Sequence, residues 1–355
     1  MQKTIWFMKG YSNLFHAIND IKTADTENNF RVLCSHTNPG FVGFESADFF
    51  ELEPKATDAQ FLDYCETIIK KYNVDVIFAA NRQVALDKNR ARLKNLGAEV
   101  VTTASYKLIP SINNKAKLYK LLENSPLVKI PAYGVFNNDK DFDIQYKKLK
   151  KDHKKLCMKP THGVYGVGFY ILKERSNDLN TFLNQEQKVS VANFKKIITG
   201  KKFHQMILMQ FLEGAERSVD CVAFHGQLIG GTIRKKNSGG LPQVIEKNDD
   251  LMEQVKWIVK TLKLNGMFNV QFKDVQGVPY LLEINPRLSG RSFYSTVAGF
   301  NIPFVASQVF SGIKNPDEIQ YTVKDNLFIS AVNYPVVATQ YSSKIIGCSG
   351  HAESH

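Results

Sequence analysis

Along the first third of this chain, apolar residues recur with two different periods, one near two and one near 3.6, and the two patterns alternate. Strand-like runs fall at 4–8, 30–35, 74–80 and 98–103. Between the second and third, Phe61, Cys65, Ile68, Ile69 and Tyr72 mark one face of a helix. A second helix is predicted over 82–96, ended by Gly97 as a C-cap. Strands that alternate with helices imply a parallel sheet covered on both faces. The stretch after the first strand, Lys9-Gly10-Tyr11-Ser12-Asn13, lacks the spacing G-x-G-x-x-G, so a dinucleotide site is not predicted.

After Pro110-Ser111 the pattern changes. A short helix is predicted over 113–123, then a strand at 130–136, a basic helix at 139–151 and strands at 155–160 and 167–173. Helical patterns resume until Gly200, and 206–212 reads as a strand. Residues 217–235 read as a hairpin turning at His225-Gly226. Residues 249–264 form an amphipathic helix with Leu251, Val255, Ile258, Val259 and Leu262 along one side. Strands at 268–275 and 279–285 make another hairpin, and the last residues, 347–355, are small and polar and read as loose.

Composition narrows the class. The 355 residues are enough for two or three domains, and 43% hydrophobic with 23% charged residues fits a soluble globular protein. No charged-then-apolar leader and no membrane-length apolar run is read, so no membrane partner is expected. Cys34, Cys65, Cys157, Cys221 and Cys348 are odd in number and far apart, which argues against a disulfide framework or a zinc site and for the cytoplasm. The net charge of +12 favours anionic partners, nucleic acid or nucleotide alike. The densest basic run, 147–155, reads as a solvated helix end, and no nucleic-acid-binding motif accompanies it.

Three stretches carry candidate chemistry. In the strand Leu281-Leu282-Glu283-Ile284-Asn285, Leu282 and Ile284 share one face, Glu283 and Asn285 the other, and Arg287 and Arg291 follow. A two-residue turn at Gln276-Gly277 would set Gln271 opposite Leu282. A three-residue loop sets it opposite Glu283 and puts Val270 and Phe272 with Leu282 and Ile284. The hydrophobic pattern favours the second register. Gln271, Glu283 and Asn285 then converge as three oxygen donors, a sparse set that suits Mg2+ when substrate phosphates complete the shell. The second stretch runs from Leu156 through Lys159 to a loop with glycines at 163, 166 and 168. Such glycines admit phosphate to backbone N–H groups, although alone the loop reads better as a ligand-free turn. The third leads from Met209-Gln210-Phe211-Leu212 through Glu213-Gly214 to Glu216, Ser218 and Asp220 on one strand face. That face fits ribose hydroxyls or plain solvent equally well.

These stretches occur in one order, with Asn114-Lys115 on the linker helix, and the set resembles the ATP-grasp family of ligases, nearest the branch of carbamoyl-phosphate synthetase, biotin carboxylase and the pyrrolysine-pathway ligase. The resemblance covers about 110–312. It implies an α/β fold with an N-terminal parallel-sheet domain at 1–108. An ATP-grasp module follows at 109–340, with a lid subdomain near 128–208, an antiparallel-sheet subdomain and a tail at 341–355. It implies that Lys115 and Lys159 reach the nucleotide, that Gly163, Gly166 and Gly168 belong to a lid over the triphosphate, that Gln210 and Leu212 meet adenine, and that Glu216 holds ribose. Gln271, Glu283 and Asn285 match the Mg2+ ligands, with Mn2+ as an alternative. Arg287 matches the arginine at the phosphate, and Arg234 and Arg291 are candidates to clamp a substrate carboxylate with it. Two departures stand out: the lid has few consecutive glycines, and Gln271 occupies a metal position where many members have an acid.

The expected activity is an ATP-dependent ligase that joins a small carboxylic acid, such as an amino acid, to an amine through an acyl phosphate. Activation of bicarbonate and a non-catalytic ATP sensor are the rivals. A homodimer is a family-level expectation.

Overall fold

A computed structural model describes residues 2–10, 13–163, 167–174, 187–236 and 242–338. The chain forms two compact units. The first gathers the residues up to Pro110, Arg217–Val270 and those from Ile284 onward. The second comprises Ser111–Glu216 and Gln271–Glu283.

The first unit opens with a parallel sheet of five strands: β1 (Lys3–Phe7), β2 (Phe30–His36), β3 (Phe49–Leu52), β4 (Val74–Phe78) and β5 (Glu99–Val101). Their order is β3-β2-β1-β4-β5. The hydrophobic pattern predicts four of them. The edge strand β3 has only four residues, too few to show a period. Alternation along β1 decides which helix covers which face. Ile5 and Phe7 pack with Leu14, Ala17, Ile18 and Ile21 of helix α1 (Leu14–Ala24). Trp6 packs on the other side with Phe61, Cys65, Ile68 and Ile69 of helix α2 (Asp58–Tyr72).

Helix α2 starts at a capping box. Thr57 accepts from the Gln60 N–H, and the Gln60 side chain returns a bond to the Thr57 N–H. The helix predicted over 82–96 is two short helices instead, α3 (Gln83–Lys88) and α4 (Arg90–Lys94). The break falls at Asn89, whose side-chain amide donates to the Ala85 carbonyl at 2.8 Å and competes with the helical ladder. Gly97 follows in the left-handed region, at φ +98°.

In the second unit, β6 (Tyr133–Phe136), β7 (Leu156–Pro160), β8 (Tyr170–Lys173), β9 (Lys188–Ser190) and β10 (Met206–Gln210) pair in the order β6-β10-β7-β8-β9. All neighbours are antiparallel except β8 and β9. The helix Asp139–Lys150 inserts Phe142 and Leu149 among Phe136, Met158, Phe194 and Leu208. Its last turn carries Lys147, Lys148 and Lys150, cations that complement the helix dipole there.

A third sheet joins β11 (Glu216–Phe224), β12 (Gln227–Lys236), β13 (Gln243–Glu246), β14 (Gly266–Val275), β15 (Val278–Asn285) and β16 (Phe328–Ile329). The order is β15-β14-β11-β12-β13-β16. The predicted turn between β11 and β12 is present, with His225 and Gly226 both at positive φ. Within the first unit Val222, Met267, Leu288, Phe300 and Ile302 share one core with Ile5 and Phe7.

The β14–β15 hairpin corrects the expected three-residue loop. Only Gln276 and Gly277 lie between the strands, at φ +50° and +80°, a left-handed pair of the type that matches sheet twist. By that turn Gln271 falls opposite Leu282, not opposite Glu283 as the three-residue loop would set it. Val275, Tyr280 and Leu282 lie in one apolar cluster, and Asn285 reaches Asn269 at 3.4 Å.

The four described cysteines are free and buried. Cys348 and the tail at 341–355 lie outside the described residues, and no helix among the described residues is long and apolar enough to cross a membrane.

The capping box gives a direct test of the fold. Thr57→Ala is expected to destabilise the protein by about 1 kcal/mol in urea unfolding, while Thr57→Ser keeps the side-chain oxygen and stays near the parent.

Candidate functional site

In the second unit, two lysines meet one carboxylate. Asn114 caps the helix Lys115–Leu122 by accepting from the Lys117 N–H, which places Lys115 in the first turn. The Lys115 side chain is only 9% exposed. Its ammonium lies 3.1 Å from Glu283 Oε2 and donates to the Gly163 carbonyl at 3.1 Å. Lys159 points from β7 into the same surroundings. Desolvation pushes its pKa down to about 8, Lys115 pushes the same way, and Glu283 and Glu216 pull it back up. Tyr119, four residues after Lys115 on the same helix face, is fully buried and donates to the Leu282 carbonyl at 2.8 Å. Sequence reasoning missed Tyr119, although its spacing from Lys115 was the signal.

The loop after β7 is anchored at its base. The Thr161 N–H and hydroxyl both donate to the Gln205 carbonyl, and His162 Nδ1 lies 3.4 Å from the Asn114 amide nitrogen. Gly168, at φ +75°, packs so close to Pro160 that a Cβ there would lie 2.9 Å from its ring. Gly166, with Val164 and Tyr165, lies outside the described residues.

Around β7 and the end of β10 lies an apolar cluster. Cys157, Met209 and Leu212 are buried together, with Phe169, Ile171 and Phe211 against them. Gln210 ends β10, and its N–H already donates to the Ala132 carbonyl at 2.9 Å. An adenine edge read here would therefore meet the Gln210 carbonyl and Leu212 rather than that N–H. Gly214 lets the crossover lie flat on β14. Its N–H donates to the Asp274 carbonyl at 2.9 Å, and a Cβ would lie 2.6 Å from that of Asp274.

The first unit holds a separate buried network. Arg234 is 2% exposed and donates to Asp220 at 2.6 Å, Gln243 at 2.5 Å and Ser289 at 2.9 Å. Asp220, fully buried, also accepts from the Asn269 amide at 2.8 Å, and Asn269 Oδ1 accepts from Asn285. Asn285 thus commits its amide nitrogen, which orients the oxygen end. The solvent-facing reading of β11 fails for Ser218 and Asp220, both buried. The three arginines go to different partners. Arg291 donates to the Tyr294 hydroxyl at 2.8 Å, and Arg287 donates to the Leu288 carbonyl at 3.1 Å. Arg234 would have to break its bonds to Asp220, Gln243 or Ser289 to clamp a carboxylate. Its geometry suits a positioning role.

Among the described residues no three His, Cys, Asp or Glu side chains form a metal cluster. Glu283 in the second unit carries a carboxylate, and Gln271 there and Asn285 in the first unit carry amide oxygens, donors of the hard kind that Mg2+ takes. Desolvation and the neighbouring Lys115 both disfavour the charged form of Lys159, a cost that a polyphosphate would offset.

The family described as "ATP-grasp in the biosynthetic pathway with Ter operon" matches residues 202–333. Across 94% of the chain, the sequence is 25% identical to the carbamoyl phosphate synthase large chain of Clostridium botulinum, strain Alaska E43 / Type E3. The chain carries an ATP-grasp domain. It spans 30% of the length of that synthase. Solved structures share the ATP-grasp fold at low identity. N5-carboxyaminoimidazole synthetase from Staphylococcus aureus, complexed with ADP, aligns with TM-score 0.63 at 15% identity over 88% of this chain and 78% of that one. A biotin carboxylase–β,γ-ATP complex from Campylobacter jejuni aligns with TM-score 0.64 at 14% identity over 91% and 74%.

The charge cluster around Lys159 makes a pH-dependent prediction. The folded pKa of Lys159 lies below its ordinary value of 10.5. Its burial therefore costs stability in full below about 8, and the cost fades as pH rises from there towards 10.5. Lys159→Met is expected to be more stable than the parent at pH 7, by about 3 kcal/mol at most, with the difference shrinking by pH 10 in denaturant titrations.

Proposed function

We propose that this chain is an ATP- and Mg2+-dependent ligase that joins a carboxylic acid to an amine and releases ADP and phosphate. The observation that carries the reading is the Lys115–Glu283–Lys159 cluster, in which a desolvated lysine lies near a second one, next to an apolar cluster. In this reading adenine lies at Met209–Leu212, Glu216 takes the ribose, and Lys115 and Lys159 take the phosphates. Gly163, Gly166 and Gly168 form the loop over the triphosphate. Glu283 and Asn285, with Gln271, would hold Mg2+, and the ion would supply charge neutralisation on the transferring phosphoryl group.

The substrate carboxylate attacks the γ-phosphorus as the bond to the β,γ-bridging oxygen breaks, and ADP leaves. The amine then attacks the acyl carbon of the mixed anhydride. Phosphate departs with the bonding pair, and the proton of the amine passes to solvent or phosphate. No side chain acts as a nucleophile. Lys115, Lys159 and Arg287 stabilise developing charge and hold the reactants in line. Exclusion of water protects the acyl phosphate. Arg291 is the remaining candidate for the substrate carboxylate. The similarity to a carbamoyl phosphate synthase and the fold shared with a biotin carboxylase support one alternative, bicarbonate as the activated acid.

The test is release of ADP and phosphate from Mg·ATP with amino acids and small acids, with and without amines. The expected result is release that requires both an acid and an amine and is lost in Glu283→Ala. Release with bicarbonate alone favours the alternative, and unchanged turnover in Glu283→Ala contradicts the metal assignment.

A further inference from the structure

The first unit contains a cavity of about 700 Å³ that the proposed reaction does not use. That volume is in the range of small-molecule sites. None of its lining residues is among those assigned to nucleotide or metal. One wall is aromatic, with the rings of Phe224 and Phe310 5.3 Å apart. The charged lining comprises three cations, Arg90, Lys94 and Lys263, against two carboxylates, Asp87 and Glu99.

The carboxylates are already engaged. Arg90 bonds Asp87 at 2.7 Å and Glu99 at 3.0 Å, and the other Asp87 oxygen accepts from the Tyr106 N–H at 2.7 Å. Lys94 lies 3.6 Å from Glu99. Lys263 has no acidic partner among the described residues. The cavity therefore presents one uncompensated ammonium, with the His225 imidazole also on its lining.

Backbone conformation adds an independent observation. His225 and Lys263 sit in the left-handed region at φ +48° and +49°, where glycine or asparagine is the cheaper residue. Lys263 occupies the C-cap of the helix Asp249–Leu262, a position glycine usually fills. The two strained residues are braced to each other's segments. The Asn265 side-chain oxygen accepts from the His225 N–H at 2.9 Å, and the Gly226 N–H donates to the Leu264 carbonyl at 2.9 Å. Asn265 in turn is tied to the chain after β5, with its N–H on the Thr103 carbonyl at 2.8 Å. Two long polar side chains are thus held in strained backbone at the rim of one cavity, and strain of this kind collects at binding sites.

We propose that this cavity is a second ligand site, which takes a small anion with a flat apolar body, an aryl phosphate or aryl carboxylate. The body lies against Phe224 and Phe310, and the anionic group meets Lys263 and His225.

The test uses phenyl phosphate and benzoate as probes of the full chain, by calorimetry and thermal shift, with the Lys263 and His225 variants separating this cavity from the nucleotide site. At least one probe is expected to bind and raise Tm, and which of the two does so tells phosphate from carboxylate. Lys263→Gly is expected to raise the Tm of the unliganded protein, because the strain is relieved, and to weaken the probe at least about tenfold. His225→Asn keeps a residue tolerant of positive φ and is expected to weaken the probe without loss of fold. Absence of binding by both probes, or binding unchanged in both variants, overturns the proposal.

Discussion

The proposed nucleotide site depends on one desolvated cation. Lys115 and Lys159 share the surroundings of Glu283, and desolvation pushes the pKa of half-buried Lys159 down to about 8. A desolvated lysine beside another cation is costly in the absence of an anion. Folding brings it there anyway because β7 pairs with β10 along its whole length, from Leu156 to Pro160, and so fixes the side chain. The same pairing places Cys157 against Met209 and builds an apolar cluster beside the charge. One strand thus supplies apolar side chains and a half-buried cation, the two features that a nucleotide's base and phosphates call for.

A second constraint sets the metal candidates. Asn285 is oriented through Asn269 and Asp220 by Arg234, all of them buried. Arg234 and Asp220 are compensated in the fold, where an isolated charge would be ruinous. This network explains why an arginine that looks in sequence like a substrate clamp has its guanidinium committed elsewhere.

Much of this was legible in the sequence. Periodicity gave most strands, the two-faced parallel sheet and the helix Asp249–Leu262, because those elements bury one regular face. The order of Lys115, Lys159, Glu216, Gln271, Glu283 and Asn285 pointed to the family, since a set of spaced residues is more specific than any one of them. What was not legible had local causes. Asn89 split a helix by a side-chain bond that propensity does not encode. The hairpin turn at Gln276-Gly277 lacks the usual Asn-Gly or Asp-Gly signature, so its two-residue length was not legible. Asp220 reads as a solvent-facing strand residue until Arg234 is seen beside it, and that contact is fourteen residues away in sequence.

The most direct measurement is the side-chain titration of Lys159 by NMR, with and without Mg·ATP. The account predicts an apparent pKa near 8 in the free protein that moves up when the nucleotide binds, because phosphate charge stabilises the ammonium. A Lys159 titration that is identical with and without saturating nucleotide would place the phosphates elsewhere and contradict the site described here.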